Sequence, residues 1–196
     1  YSGLVLTQVG FNCGDRPRFQ PGDAAVVVGD GLVGHWAGQM LAARGAEVVM
    51  VGRHEDRLGH FKKGETLLDK EGAWMKKVKE RFPDGVQVGV DTVGSLGVMG
   101  HLESLMKRFG HLVSAGFYGT DDCLALQPPR YKELSIDLVS GATPERLAQT
   151  MKLVSEGVLE TSPLITHRFP VAKAAEAWKL IESKSEPVLG VVLDWM

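Results

Sequence analysis

One segment, residues 24–34, restricts the fold more than any other part of the chain. It begins with a continuous apolar run, AAVVV, of the kind that forms a strand buried on both faces of a parallel sheet. Gly29, Gly31 and Gly34 follow at once in the spacing G-x-G-x-x-G, and a helical apolar pattern then continues to Gly45. A strand, a glycine-rich turn and a helix in this order predict a βαβ unit.

The remaining chain repeats this alternation and predicts an α/β fold, a Rossmann-type doubly wound parallel sheet with three αβα layers. We expect the first helix to break at Gly10 and residues 124–129 to form an edge hairpin or an irregular arm, because proline lacks a ladder donor. The predicted strands cover residues 24–28, 47–51, 66–68, 86–90, 111–115, 134–139, 164–169 and 188–193. The predicted helices cover residues 3–9, 32–44, 55–63, 73–82, 96–109, 143–157 and 170–182.

Composition excludes several classes of protein. The 196 residues are 44% hydrophobic and 23% charged, which is enough apolar material for a core and rules out a disordered chain. A net charge of −2 gives no basic field for nucleic acid or an anionic membrane, and no apolar run approaches the ~18 residues of a membrane span. Cys13 and Cys123 are isolated, and the six histidines lack metal-ligand spacing. We therefore expect no metal site and a reducing, cytoplasmic compartment.

The three glycines have separate roles in a dinucleotide site. Gly29 allows the tight turn, Gly31 lets the backbone approach a pyrophosphate, and Gly34 lets the helix pack on its strand. The helix N-terminus then offers N–H donors and a partial positive charge to phosphate. The alternative is a glycine-rich turn with no ligand, but the strand before it and the helix after it favour a dinucleotide.

The end of the second strand bears on which dinucleotide binds. NAD sites usually carry an acidic residue there, about 20 residues past the glycines. This chain has Gly52, Arg53 and His54, with Arg57 one helical turn later. Glycine leaves room for a 2′-phosphate and guanidinium groups pair with it, so NADP is preferred over NAD. Alternatively, both arginines are solvated residues paired with nearby acids.

The next two strand ends belong to the same edge of the predicted sheet. Thr92 and Val93 follow the fourth strand, and Ala115 and Gly116 follow the fifth. Ligands of open α/β sheets lie outside the carboxyl ends of strands, so these residues would border the nicotinamide half of the cofactor. Ordinary turn chemistry explains each segment equally well when it is taken alone.

Five motifs in order extend this interpretation. They are GDGLVG, DTVG, GHLVSAGF, KELSI, and LITHRF followed by AAEAW. Together they resemble the medium-chain dehydrogenase/reductase family, and most closely its zinc-type alcohol dehydrogenase branch. The stretch from residue 116 to the C-terminus is also similar to the bacteriochlorophyllide a dehydrogenase subgroup.

The resemblance implies that this chain is the cofactor-binding portion of an NAD(P)-dependent oxidoreductase that transfers hydride to or from a small alcohol or carbonyl substrate. Catalytic zinc would lie in an N-terminal domain that is absent here, so no catalytic or metal-binding residue is expected in this chain, and alone it would be inactive. Residues 1–22 would be a linking helix and linker, with Tyr1 inside that helix. Residues 23–160 would be the Rossmann domain, and residues 161–196 a strand-helix-strand return segment toward the missing domain.

The resemblance also assigns roles to single residues and implies a homodimer. The pyrophosphate would lie against Gly29, Gly31, Leu32, Val33 and Gly34. The adenosine ribose would lie against Gly52, Arg53 and Arg57, and the nicotinamide against Thr92, Val93, Ala115 and Gly116. The edge strand over residues 134–139 would pair with a second copy.

Two alternatives remain open. The whole protein could instead be a zinc-free quinone or enoyl reductase of the same family, which zinc ligands upstream would exclude. A different class is a stand-alone nucleotide-binding or redox-sensing module without chemistry, because fold does not determine function.

Overall fold

The computed structural model describes residues 3–195 and contains a six-stranded sheet in which all neighbouring strands are parallel. The strand order reverses direction between β1 and β4, which confirms the predicted doubly wound Rossmann topology. From one edge to the other, the strands are β3 (Glu65–Leu68), β2 (Glu47–Gly52), β1 (Ala24–Val28), β4 (Val86–Asp91), β5 (Met106–Ser114) and β6 (Ser135–Leu138).

Helices cover both faces of the sheet, as the three-layer prediction requires. Alternate residues of the central strand enter separate cores, since Val26 packs in one with Trp74 while Val27 packs in the other with Leu41 and Phe61. The helices are α1 (Leu4–Asp15), α2 (Leu32–Ala43), α3 (Glu55–Leu58), α4 (Trp74–Arg81), α5 (Leu96–Leu105), α6 (Gln127–Tyr131), α7 (Pro144–Ser155) and α8 (Ala174–Ser183).

The first helix does not break at Gly10, so that prediction was wrong. A Cβ at Gly10 would lie 2.5 Å from Trp36 Cβ, and one at Gly14 would lie 2.6 Å from Met40 Cβ. These two glycines, four residues apart on one helix face, let α1 and α2 approach more closely than side chains would permit. The glycines therefore serve helix–helix packing, and the helix continues to Asp15.

Helices α3 and α5 end four or more residues earlier than predicted. Helix α3 ends at Leu58, and Phe61 is buried in the core. At α5, strand β5 begins directly after Leu105, because Met106 pairs with Val86 before a register shift in the ladder. Residues 106–109, Met-Lys-Arg-Phe, include no helix-ending residue before Gly110, so local signals extend the helix too far, which explains the second error.

Residues 124–126 are irregular, as the predicted arm requires, but Gln127–Tyr131 form the short helix α6, so the prediction was wrong for residues 127–129. The prolines of α6 lie in the first turn, where the missing N–H removes no helical hydrogen bond. The edge strand β6 follows it, as predicted, and pairs only with β5.

The C-terminal segment contains the predicted strand, helix and strand. Strand β7 (Ile165–Pro170) pairs in parallel with β8 (Gly190–Asp194) in a separate two-stranded sheet, with α8 between them. Short 3-10 turns at Ser162–Leu164 and Val171–Lys173 flank β7. The expectation that Tyr1 lies in the linking helix falls outside the described residues.

Candidate functional site

The glycine loop, residues 29–34, crosses the carboxyl end of β1 and leads into α2. Gly29 has φ +123°, and its N–H donates to the Val51 carbonyl at 2.8 Å. A Cβ at Gly29 would overlap the Thr92 hydroxyl, and a Cβ at Gly34 would overlap the Gly29 carbonyl oxygen. The loop therefore needs glycine at both positions in order to bring β1, β4 and α2 together.

The centre of the loop faces open space. Gly31 is the N-cap of α2 and has no side chain that could accept from the first helical N–H groups. A Cβ at Gly31 would meet no atom within 4 Å, and Leu32 and Val33 are only half-buried. The N-terminus of this twelve-residue helix thus presents unpaired donors and a partial positive charge to a ligand above the loop.

The end of β2, with the residues that adjoin it, forms what we call the β2 corner: Asp30, Gly52, Arg53, His54 and Arg57. Asp30, from the glycine loop, fills the space that a side chain at Gly52 would need, since a Cβ there would lie 2.5 Å from the Asp30 carboxylate. Sequence reasoning missed this residue. The signal was present as an acidic residue inside the glycine motif, but spacing alone does not reveal where its side chain points.

Asp30 organises this corner through four groups. The backbone N–H groups of Arg53 and His54 donate to its carboxylate at 2.7 and 2.8 Å. The His54 ring lies 3.0 Å away, and the Arg57 guanidinium is 3.6 Å away. Burial acts to raise the pKa of Asp30, but the hydrogen bonds and charge from His54 and the Arg53 N–H outweigh it, so this pKa lies below its usual value. The carboxylate is therefore ionised, while the Arg53 side chain stays exposed.

The other end of the site, the β4–β5 corner, comprises Thr92, Val93, Gly94, Ala115 and Gly116. Thr92 is held by its N–H and its hydroxyl, which both donate to the Val28 carbonyl at 3.0 Å. A Cβ at Gly116 would overlap the backbone of Gly94, and one at Gly94 would overlap the carbonyl of residue 117. Two chain segments are thus in direct backbone contact at this corner, and Val93 is partly exposed beside them.

Buried Asp91 fixes the turn that carries Thr92 and Val93. Its carboxylate accepts from the N–H groups of Val93 at 2.7 Å, Gly94 at 3.2 Å and Ser95 at 3.2 Å, and from the Tyr118 hydroxyl. Burial and this hydrogen bond raise the pKa of Tyr118 above its usual value. Tyr118 is therefore a proton-bearing donor that ties the β5 turn to the β4 turn.

The predicted site residues all lie along the carboxyl ends of β1, β2, β4 and β5, around one topological switch point. The donors of the glycine loop lie at the centre, with the charged side chains of the β2 corner on one side and the backbone contacts of the β4–β5 corner on the other. Across residues 3–195, no three His, Cys, Asp or Glu side chains cluster so that they could hold a metal ion. Within the same residues, no helix is both long and apolar enough to cross a membrane.

The chain matches curated dehydrogenases. The 2-desacetyl-2-hydroxyethyl bacteriochlorophyllide A dehydrogenase of Rhodobacter capsulatus is 28% identical over 170 residues, which cover 87% of this chain and 51% of that protein. Further matches are named as dehydrogenases of alcohols and polyols. The chain spans about half the length of the curated relatives it matches.

Solved structures share the fold. A short chain alcohol dehydrogenase from Escherichia coli CFT073, solved with NADH, has a TM-score of 0.86 at 20% identity, covering 98% of this chain and 58% of that one. A Sinorhizobium meliloti 1021 structure bound to NADP has a TM-score of 0.80 at 18% identity, with the same coverage of 98% and 58%. These likenesses confirm the Rossmann-type architecture.

The family model described as "Zinc-binding dehydrogenase" matches residues 33–156, more than half of the chain. This match begins inside the glycine loop and extends through the β4–β5 corner to the end of α7. The resemblance to zinc-type alcohol dehydrogenases is thereby confirmed, and the chain belongs to the zinc-binding dehydrogenase family.

Proposed function

We propose that this chain binds a nicotinamide dinucleotide, with NADP preferred over NAD, as the cofactor-binding portion of an alcohol dehydrogenase-like oxidoreductase. The single observation that carries the proposal is the glycine loop, whose open centre lies beside the uncapped N-terminus of α2. The donors there suit a pyrophosphate, and the β2 corner and the β4–β5 corner lie on either side of the loop along the strand ends.

The pyrophosphate would lie over the centre of the loop. The backbone N–H groups of Leu32, Val33 and Gly34 would donate to it, because the N-cap residue Gly31 has no side chain to cap this helix end. Gly31 has no Cβ to hold the phosphates away, while Gly29 and Gly34 keep the loop tight against β4 and α2.

The adenosine ribose would lie at the β2 corner. Gly52 places no side chain toward the ribose, and the exposed Arg53 guanidinium with that of Arg57 would pair with a 2′-phosphate. This charge arrangement supports the preference for NADP.

The nicotinamide ribose and ring would lie at the β4–β5 corner, against Thr92, Val93, Ala115 and Gly116. When bound, the nicotinamide supplies or accepts the hydride. The chain's own contribution is orientation: the Asp91 hydrogen bonds and the contact between Gly94 and Gly116 hold this wall in one position.

The whole protein would act on a small alcohol or carbonyl substrate through a second, N-terminal catalytic domain that carries zinc. Residues 1–22 would link the domains, residues 23–160 would form the Rossmann domain, and residues 161–196 would return toward the partner domain. This chain alone would be inactive. Cys13 and Cys123 are free thiols, which agrees with a cytoplasmic location.

A surface beside the return segment supports the two-domain arrangement. A cleft of about 630 Å³ opens between α1, α2 and the β7–β8 sheet, with Leu6, Trp36 and Trp195 in its walls. The exposed fraction of Trp195 is 79%. Apolar surface of this kind suits contact with another domain.

We also propose a homodimer through β6. The strand is a sheet edge with unpaired backbone groups, and the exposed fraction of Leu138 on it is 76%. Pairing of two copies about a two-fold axis would cover this edge. Light scattering of the purified chain should give the dimer mass, and Leu138→Lys should give the monomer mass. A monomeric wild-type chain at high concentration would overturn this proposal.

The cofactor proposal is tested by titrating the purified chain with NADPH and with NADH, following nucleotide fluorescence. Saturable binding of both is expected, with a lower Kd for NADPH. Arg53→Ala should weaken NADPH binding about tenfold and leave NADH unchanged, because only NADPH carries the 2′-phosphate. Arg108→Ala removes the same charge at the amino end of β5 and is the matched control.

Two outcomes contradict this account at different levels. Absence of binding by either nucleotide overturns the cofactor role. Equal or tighter binding of NADH, unaffected by Arg53→Ala, overturns the NADP preference only.

A further inference from the structure

We propose that Asp30, inside the glycine loop, determines nucleotide specificity by placing a carboxylate at the β2 corner and so limiting the preference for NADP. This inference rests on the proposed cofactor role of the site. Strand β2 ends at Gly52, which has no side chain. The corner nevertheless carries an acidic group, because Asp30 reaches it from the glycine loop after β1.

The Asp30 side chain occupies the space that a side chain at the end of β2 would fill. A Cβ placed on Gly52 would lie 2.5 Å from both the Cβ and an Oδ of Asp30. The carboxylate is 8% exposed and lies at the junction of the glycine loop and the turn after β2. A ribose entering this corner would therefore meet the same charge that a strand-end acid would give.

The contacts of Asp30 also engage the basic side chains of the corner. One carboxylate oxygen accepts from the backbone of Arg53 and His54, and the other lies 3.6 Å from Arg57 Nη1. The His54 ring lies 3.0 and 3.1 Å from the two oxygens. Of the corner's three basic side chains, only that of Arg53 is not directed to Asp30.

This arrangement affects the two nucleotides differently. A 2′-phosphate would be repelled by the carboxylate and would compete with it for Arg57 and His54. A ribose 2′-hydroxyl carries no charge and would not be repelled. Neutralising Asp30 should therefore raise the affinity for NADPH relative to NADH, beyond the preference of the wild-type chain.

Asp30→Asn is the direct test, since its amide oxygen still accepts from the two backbone N–H groups. The Kd ratio of NADH to NADPH should rise about tenfold. Asp56→Asn makes the same charge change at an exposed position in α3 and should leave the ratio within about twofold. An unchanged ratio in Asp30→Asn, or an equal rise in Asp56→Asn, would overturn the proposal.

A second comparison keeps the proposal testable if Asp30→Asn folds poorly. Asp30→Ser retains a short acceptor for the turn and should raise the ratio in the same direction. In addition, Arg57→Ala should weaken NADPH binding more in the Asp30→Ser background than in the wild-type chain, because Arg57 is released there. Equal losses in both backgrounds would contradict the proposal.

These outcomes differ from failure of the proposed function. If neither nucleotide binds the wild-type chain, the cofactor role itself is wrong. If both bind and the ratio does not respond to Asp30, the cofactor role stands and the specificity role of Asp30 is wrong.

Discussion

The β2 corner and the β4–β5 corner are built from different kinds of contact. At the β2 corner, ionised and basic side chains contact one another and remain partly exposed, as His54 and Arg57 do around Asp30. At the β4–β5 corner, backbone lies against backbone where Gly94 meets Gly116, and buried Asp91 holds the turn. The first corner can change its charges without changing its backbone, whereas the second tolerates almost no added atom. Under the proposed function, the β2 corner would set which nucleotide binds, and the β4–β5 corner would fix its position.

The largest expected effect is on stability, and it compares an added Cβ at the β4–β5 corner with one at the β2 corner. Gly116→Ala adds a Cβ that overlaps the Gly94 backbone, so we expect the free energy of unfolding to fall by about 3 kcal/mol or more. This variant should also no longer bind either nucleotide. Gly52→Ala instead meets the Asp30 side chain and no backbone atom, but Asp30 Cβ, 2.5 Å away, cannot be moved by rotation, so we expect a smaller loss of about 2 kcal/mol. Urea denaturation and nucleotide titration measure both quantities.

Gly100→Ala is the control for this pair. An added Cβ there meets no atom within 4 Å, and the residue lies in α5, where alanine is the better helix former. This variant should be as stable as the wild-type chain or slightly more so. Equal losses in Gly116→Ala and Gly52→Ala would remove the distinction between the two corners.

A second prediction concerns a buried histidine, His35, and the dependence of stability on pH. His35 in α2 is fully buried, and among the described residues its two ring nitrogens have no hydrogen-bond partner. Burial lowers the pKa of His35 to about 4, although the Arg57 backbone and Asp30 act to raise it and His60 adds to the lowering. Between pH 6.5 and 4 the unfolded chain binds a proton that the folded chain does not, so stability should fall as pH decreases.

The size of this effect follows from the shift. About 3 kcal/mol of stability should be lost between pH 6.5 and pH 4 through His35, in addition to losses from other groups. His35→Leu should remove that part of the slope, whereas His101→Gln, at an exposed position, should retain it. Denaturation curves across this pH range measure the slope, and an unchanged slope in His35→Leu would contradict the prediction.

The smallest expected effect is a change in nucleotide preference when the carboxylate of the β2 corner is moved from residue 30 to residue 52. The double variant Asp30→Gly with Gly52→Asp moves the acid to the strand end, because glycine at residue 30 removes the Cβ that a side chain at residue 52 would meet. The Kd ratio of NADH to NADPH should then fall about tenfold below that of the wild-type chain, while Asp30→Gly alone should raise it. Fluorescence titration measures both ratios, and a double variant that behaves like Asp30→Gly would show that the strand end does not reach the ribose.

Much of the fold was predictable because its signals are local. The AAVVV run, the glycines after it and the alternation of strands and helices determine the parallel sheet and its edge of strand ends. Local signals failed where a residue acts through a distant partner. Taken from the sequence alone, Gly10 indicates the end of a helix, but in the folded chain it is the point where α1 packs against α2. Similarly, Pro128 and Pro129 lie in the first turn of a helix and not in an irregular arm.

The site shows the same division. The glycine loop and the residues after β4 and β5 were predictable, since parallel strands bring their carboxyl ends to one edge. Asp30 was not, because its importance depends on the missing side chain at Gly52, 22 positions later, and on the direction in which its own side chain points. Likewise, the contact of Tyr118 with Asp91 joins two turns that only the sheet order makes neighbours.

The most direct test of the account is an amide ¹H–¹⁵N NMR titration of the chain with NADPH. If the glycine loop holds the pyrophosphate, the largest shifts should fall on the amides of Leu32, Val33 and Gly34, with further shifts at Arg53 and at Gly116. Saturable shifts confined to other surfaces, or no shifts at millimolar NADPH, would contradict the claim that the glycine loop and its two flanking corners bind a nicotinamide dinucleotide.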